Sequence, residues 1–148
     1  MNYLLDTNII SAIMENNKDV VQELEEKIIL GKKVFISGIN YYEIKRGLLI
    51  KANAKKLRVF SEIIKMFEVL LLDELEIFDK ASEIYKNLIS KGKPIGNEKT
   101  GDADILIAAL IQTKNLILVT DNIKHFNRIP DIKVENWLRS KNNCKGNS

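Results

Sequence analysis

The sequence predicts an α/β fold: a central, mostly parallel sheet of four to five strands with helices on both faces. Three observations carry this. Short apolar runs alternate with segments of helical spacing along the whole chain. Strands separated by helices pair in parallel, because a parallel partner needs a crossover connection. The runs at 70–72 and 117–119 are apolar at every position, as strands covered on both faces are.

Tyr3 to Leu5 is the first predicted strand, ending at Asp6. Ile9 to Met14 and Val20 to Leu30 have helical spacing, with Val20, Val21, Leu24 and Ile28 three and four residues apart. Val34 to Ile36 is a β-rich run bounded by Gly31 and Ser37, and Ser37 is a suitable N-cap for the next helix. That helix carries Ile39, Tyr42, Glu43 and Arg46 and is expected to weaken near Gly47. A further helix is expected over Lys55 to Met66, and a third strand over Val69 to Leu72. Asp73, with Glu76 three residues on, has the spacing of a capping box, so the next helix should run from Asp73 to about Ser90.

Lys91 to Gly101 reads as a loop, with Gly92, Pro94, Gly96 and Gly101. Ile105 to Ile111 is apolar all round, and Ala108 and Ala109 favour a buried helix over a strand there. Leu116 to Val119 is the fourth strand and Ile132 to Val134 a short fifth. Residues 1–140 are expected to form one domain, and the polar stretch 141–148 a disordered tail.

With 148 residues and 45% hydrophobic content, the chain can bury a core without disulfides. The single cysteine, Cys144, excludes a disulfide framework or a CxxC zinc site. No apolar run reaches the length of a membrane span, and Asp6 interrupts the N-terminal run too early for a signal peptide. A cytoplasmic protein without membrane contact is the expectation. The net charge of +3 permits an anionic partner without requiring one, and the lysine clusters Lys32-Lys33, Lys55-Lys56 with Arg58, and Lys91/Lys93 are equally suited to solvated helix ends.

Open α/β sheets bind ligands beyond the carboxyl ends of their strands. Asp6 and Asp121 lie at such ends, Glu43 two turns after one, and Asp102 and Asp104 at a helix start. Each has an ordinary explanation taken singly: Asp6 as an N-cap, Glu43 paired with Arg46, Asp104 or Asp102 favoured by the helix dipole, Asp121-Asn122 as a turn. Together they would converge on one sheet edge, where clustered carboxylates repel and call for a cation. Magnesium or manganese suits a site of oxygen donors alone. His125 is the only histidine and reads as a surface residue in the turn before Phe126. A His-pair zinc site is thereby excluded, and neither a Ser-His-Asp triad nor a Gly-rich phosphate loop has a supporting pattern.

The chain resembles the PIN-domain ribonucleases, specifically the VapC-type toxins of type II toxin–antitoxin systems. The matching pieces are Leu4-Leu5-Asp6-Thr7-Asn8, Ile36-Ser37 to Tyr42-Glu43-Ile44 with Gly47, and Gly92-Lys93-Pro94-Ile95-Gly96. Asp104-Ile105-Leu106-Ile107-Ala108-Ala109, Leu118-Val119-Thr120-Asp121-Asn122 with Phe126, and the terminal Trp137 follow in the same order. The resemblance implies a three-layer PIN-like fold and a magnesium- or manganese-dependent endoribonuclease. It implies metal binding by Asp6, Glu43 and Asp104, with lysines near the groove holding the RNA backbone and Thr7 and Ser37 near the metal-bound waters. The family's fourth acidic position falls on Asn122, next to Asp121: Asp121 substitutes, Asn122 binds through its carbonyl, or the role is lost. The longer segment Asn97 to Gly101 leaves Asp102 as an alternate to Asp104. A VapB-like antitoxin and a homodimer are the implied partners. Two other readings compete: a degenerate PIN-like module that binds RNA or protein without cutting, and a HAD-like phosphatase, which would want an aspartate where Asn8 stands.

Overall fold

In a computed structural model of the chain, residues 1–92 and 101–138 are described. The element order is β1 (Asn2–Leu5), α1 (Thr7–Met14), α2 (Lys18–Ile29), β2 (Val34–Ser37), α3 (Gly38–Ile50), α4 (Ala54–Ile64) and β3 (Glu68–Leu70). Then come α5 (Leu75–Ser90), α6 (Gly101–Lys114), β4 (Leu116–Val119), α7 (Ile123–Phe126) and β5 (Lys133–Glu135). Five strands form one sheet in the order β3-β2-β1-β4-β5, and every neighbouring pair is parallel. β1 is central, with Tyr3 level with Val34 on one side and Ile117 on the other.

The period of two along the strands divides the core into two layers. Leu4, Phe35, Leu116 and Leu118 face α5 and α6, where Ile77, Ile84, Leu88, Ile107 and Leu110 are buried. Tyr3, Leu5, Val34, Ile36 and Val119 face the other way, onto Ile9, Ile10, Val20, Leu24, Ile44 and Phe60 of α1 to α4. Trp137 closes this second layer, 5.6 Å from the Tyr3 ring centre. Covering both faces with helices gives the three-layer α/β fold.

Most elements match the sequence expectation to within a few residues. The run 105–111 lies inside α6, buried at all positions but Leu106. α3 does not weaken at Gly47, because buried Leu48 anchors the next turn and the helix continues to Ile50. The expected capping box at Asp73 is absent. α5 starts at Leu75, its N-cap is Glu74, and no side chain caps it. β3 ends at Leu70, and Leu72 still packs against the core, so the chain is extended past Asp73 before it can turn. The expected loop positions Lys93 to Thr100 and the tail 141–148, with Cys144, lie outside the described residues. Among the described residues, no helix is long and apolar enough to cross a membrane.

Candidate active site

The carboxyl ends of β1, β2 and β4 lie side by side and carry polar residues: Asp6 just after β1, Ser37 as the last residue of β2, and Thr120 just after β4. All three are buried. Asp6 caps α1 through Thr7 N at 2.9 Å. Its other contacts come from neighbouring strand ends. Asn40 Nδ2 donates to Oδ1 at 3.0 Å, and Thr120 Oγ1 donates to Oδ2 at 2.8 Å. The cap reading of Asp6 is therefore true and incomplete: a 9% exposed carboxylate accepts three hydrogen bonds from three segments.

Asn40 sits in the first turn of α3 because Ser37 caps that helix, accepting from Asn40 N at 3.1 Å. The Ser37 hydroxyl also donates to Asn40 Oδ1 at 2.6 Å, which fixes the amide with its nitrogen toward the site. Asn40 Nδ2 then reaches Thr7 Oγ1 at 3.0 Å, and Thr7 Oγ1 donates to Glu43 Oε2 at 3.2 Å. Glu43 thus turns to Thr7, and Arg46, its expected partner, stacks instead over Tyr42 at 5.0 Å.

Asp104 enters from the first turn of α6. Burial pushes its carboxyl up to about 7, and the negative charges of Asp6 and then Glu43 add to the rise. Asp6, Glu43 and Asp104 are thus brought within electrostatic reach of one another. Asp104 Oδ2 lies 3.0 Å from His125 Nδ1, on α7. This corrects the expectation that His125 is a surface residue: its side chain is 19% exposed and faces the acidic edge. α7 is a single turn anchored by buried Phe126, which directs the imidazole inward. Burial lowers the His125 pKa and Arg128 lowers it further, against a smaller rise from Asp6. Asn122 Nδ2 also lies 3.0 Å from Nδ1. Nδ1 carries a single donor or acceptor site, so its tautomer decides which of Asp104 and Asn122 it bonds.

The remaining candidates lie further out. Asp121 is exposed, its Oδ1 receives Asn136 Nδ2 at 2.9 Å, and its backbone N–H donates to Asn8 Oδ1 at 3.1 Å. Asp102 is exposed, two residues before Asp104 and so turned to a different side of α6. Asn40, Thr120 and Asn8 fall within the stretches that carry the resemblance, but as small polar residues near strand ends they have no functional signal of their own in the sequence.

The sequence profile of the PIN domain matches residues 3–132. The chain belongs to the PIN-domain family. This PIN domain is 33% identical to ribonuclease VapC2 of Rickettsia felis over 93% of its length and 98% of the relative's. It is 29% identical to ribonuclease VapC1 of Haemophilus influenzae strain R2866, over 94% of its length and all of the relative's. In structure it superposes on DNA-bound VapBC from Salmonella typhimurium with a TM-score of 0.79, at 28% identity, covering 93% of this chain and 99% of that one. The PIN fold accounts for the parallel five-stranded sheet and for the gathering of polar residues on one edge.

The three carboxylates suit a divalent ion in chemistry more than in their present spacing. Among the described residues, no three Asp, Glu, His or Cys side chains stand close enough to grip an ion as they are. In chemistry the set fits: the three carboxylates offer hard oxygen donors, and a cation would relieve the repulsion that Asp104 feels from Asp6 and Glu43.

Proposed function

We propose that the chain is a divalent-metal-dependent endoribonuclease that hydrolyses RNA phosphodiester bonds, the toxin of a VapBC-type pair. The observation that carries this is Asp6, a buried carboxylate fixed by Thr7, Asn40 and Thr120 and bordered by Glu43 and Asp104. The similarity to proteins named as VapC ribonucleases and to a VapBC complex supports both the activity and a VapB-like antitoxin as partner. Such a nuclease would act in the cytoplasm.

Asp6, Glu43 and Asp104 would hold magnesium or manganese, with Asp121, Asp102 or Asn122 in outer roles at most. The ion supplies a water of lowered pKa and offsets charge on the reacting phosphate. The protein's own part is orientation and charge. Thr120 and Asn40 each hold one oxygen of Asp6, which leaves little freedom for its carboxylate to rotate. Thr7 holds Oε2 of Glu43 and leaves Oε1 to face the substrate side or accept a proton. Lysines along the adjoining surface would hold the RNA backbone without reading its sequence.

The test is cleavage of a labelled RNA by the wild type and by Asp6→Asn, each with manganese and with a chelator. The expected result is cutting by the wild type with manganese alone. Undiminished cutting by Asp6→Asn would overturn the assignment.

A further inference from the structure

The segment that follows β4 touches two of the three carboxylates. Thr120 Oγ1 donates to Asp6 Oδ2 at 2.8 Å, and further along the same segment His125 Nδ1 stands 3.0 Å from Asp104 Oδ2. Between these two contacts the chain is tied back on itself. Asn122 N donates to Thr120 Oγ1 at 3.0 Å, and His125 N donates to Asn122 O at 3.2 Å. Phe126 and Ile129 are buried, so the turn that carries His125 is anchored in the core. The rings of His125 and Phe126 meet edge to face with centres 6.0 Å apart, which limits rotation of the imidazole. Asp121, in the same stretch, turns away to Asn136.

We propose that His125 is the positioning residue of Asp104. Its Nδ1–H fixes one carboxylate oxygen, and the stretch from Thr120 to His125 is a bracket that sets the spacing of Asp104 and Asp6. The inference rests on the reading of Asp6, Glu43 and Asp104 as holders of a divalent ion, and adds what keeps Asp104 in place. Asp6 has Thr120 and Asn40, and Glu43 has Thr7; His125 gives Asp104 the corresponding partner. β1 and β4 share a hydrogen-bonded ladder, while α6 packs on the sheet through aliphatic side chains. A side-chain tie at its first turn is therefore what fixes Asp104 against Asp6. A carboxylate that faces a cation is ionised and only accepts, so the bond requires the proton on Nδ1. Donation to a charged oxygen is roughly twice as strong as a bond between neutral groups. Asp104 thus takes Nδ1 in preference to the Asn122 amide. A histidine in direct contact with the ion is the competing arrangement. Imidazole suits softer ions than magnesium, which takes oxygen donors, so the two arrangements differ in their dependence on the metal.

The experiment measures ion binding without RNA, manganese by the EPR signal of the free ion and magnesium by calorimetry. The wild type is compared with His125→Phe, His125→Asn and His125→Gln. Phenylalanine keeps a ring against Phe126 and has no donor. Asparagine places its amide one bond beyond Cγ, where Nδ1 stands, and glutamine places it one bond further, where Nε2 stands. The Phe and Gln variants should bind both ions about tenfold or more weakly, the usual size of a lost outer partner. The Asn variant should recover most of the affinity, and urea midpoints in chelator should not follow that order. An Asn variant as weak as the Phe variant, or midpoints that track affinity, would make His125 a packing residue and refute the proposal. A loss for manganese far larger than for magnesium would make it a ligand, which refutes the proposal equally. If the Phe variant does not fold, the Asn and Gln pair carries the same comparison. Wild-type binding that is absent, or undiminished in Asp6→Asn, would defeat the metal reading itself. Binding lost in Asp6→Asn but unchanged in His125→Phe and His125→Gln defeats the bracket alone.

Discussion

Asn40 Nδ2 stands 3.0 Å from Asp6 Oδ1 and 3.0 Å from Thr7 Oγ1, so one amide group orients two residues of the acidic edge. The amide cannot be reversed, because its oxygen is taken by the Ser37 hydroxyl and a reversal would set oxygen against a carboxylate. The donor directions therefore run one way: Ser37 to Asn40, Asn40 to Asp6 and Thr7, Thr7 to Glu43.

Asn40→Ala strands a buried acceptor on Asp6 and the donor of the Ser37 hydroxyl. It should cost about 1–3 kcal/mol in a urea melt, the usual penalty for an unsatisfied buried polar group. Asn40 acts through Asp6 and touches no substrate, so kcat for RNA cleavage should fall while RNA affinity in chelator stays unchanged. Loss of affinity with kcat preserved would show that Asn40 does not position Asp6.

Asp104 has a folded-state pKa of about 7 against an ordinary 3.8. Between those values the folded chain holds a proton that the unfolded chain has lost. Stability from this group is therefore full below about pH 4, declines as pH rises through 7, and is flat above. At 1.36 kcal/mol per unit the displacement is worth about 2–4 kcal/mol after allowance for partial exposure. In chelator, the wild type should lose thermal stability from pH 5 to pH 8. Asp104→Asn should lose much less and be the more stable of the two at pH 8, though inactive. An Asn variant that is less stable at pH 8 would contradict this.

Asp121 and Asp73 separate the centre of the site from its surroundings. The Asp121 carboxylate is exposed and held by Asn136, so Asp121→Asn should lower cleavage by about tenfold, the low end of the effect of outer-sphere changes. Asp73 neither caps α5 nor meets the acidic edge, so Asp73→Asn should leave cleavage unchanged and stability within about 0.5 kcal/mol. Single-turnover cleavage and urea melts of both variants check this.

Trp137 is 3% exposed, packs on Tyr3, and donates its indole N–H to Glu135 Oε1 at 3.2 Å. Trp137→Ala should cost about 3–5 kcal/mol by opening the layer beside β1. A urea midpoint close to that of the wild type would show that the ring is dispensable there.

Much of this fold was legible because its strands are short, apolar and separated by amphipathic helices. Asp6, Ser37 and Asp104 stood out for the same reason, as polar residues at the ends of apolar runs. Asn40 and Thr120 did not, because an amide or a hydroxyl acquires its meaning only from the strand end that comes to lie beside it. The direction of His125 is not legible in the sequence, because one turn of helix, pinned by Phe126, decides which way it faces. The Asp73–Glu76 spacing was a real local signal that lost to the burial of Leu72 and Ile77.

The place of β1 at the centre of the sheet has a consequence for synthesis. Asp6 is made before Thr120, its partner at 2.8 Å, which follows 114 residues later. Contacts of such separation form slowly and late, since the intervening chain must first be ordered. A growing polypeptide on the ribosome therefore carries Asp6 and Asn40 long before the strand that seats Asp6 exists. On the nuclease reading, chains that end before β4 would lack the hydroxyl that seats Asp6 and would not cut RNA.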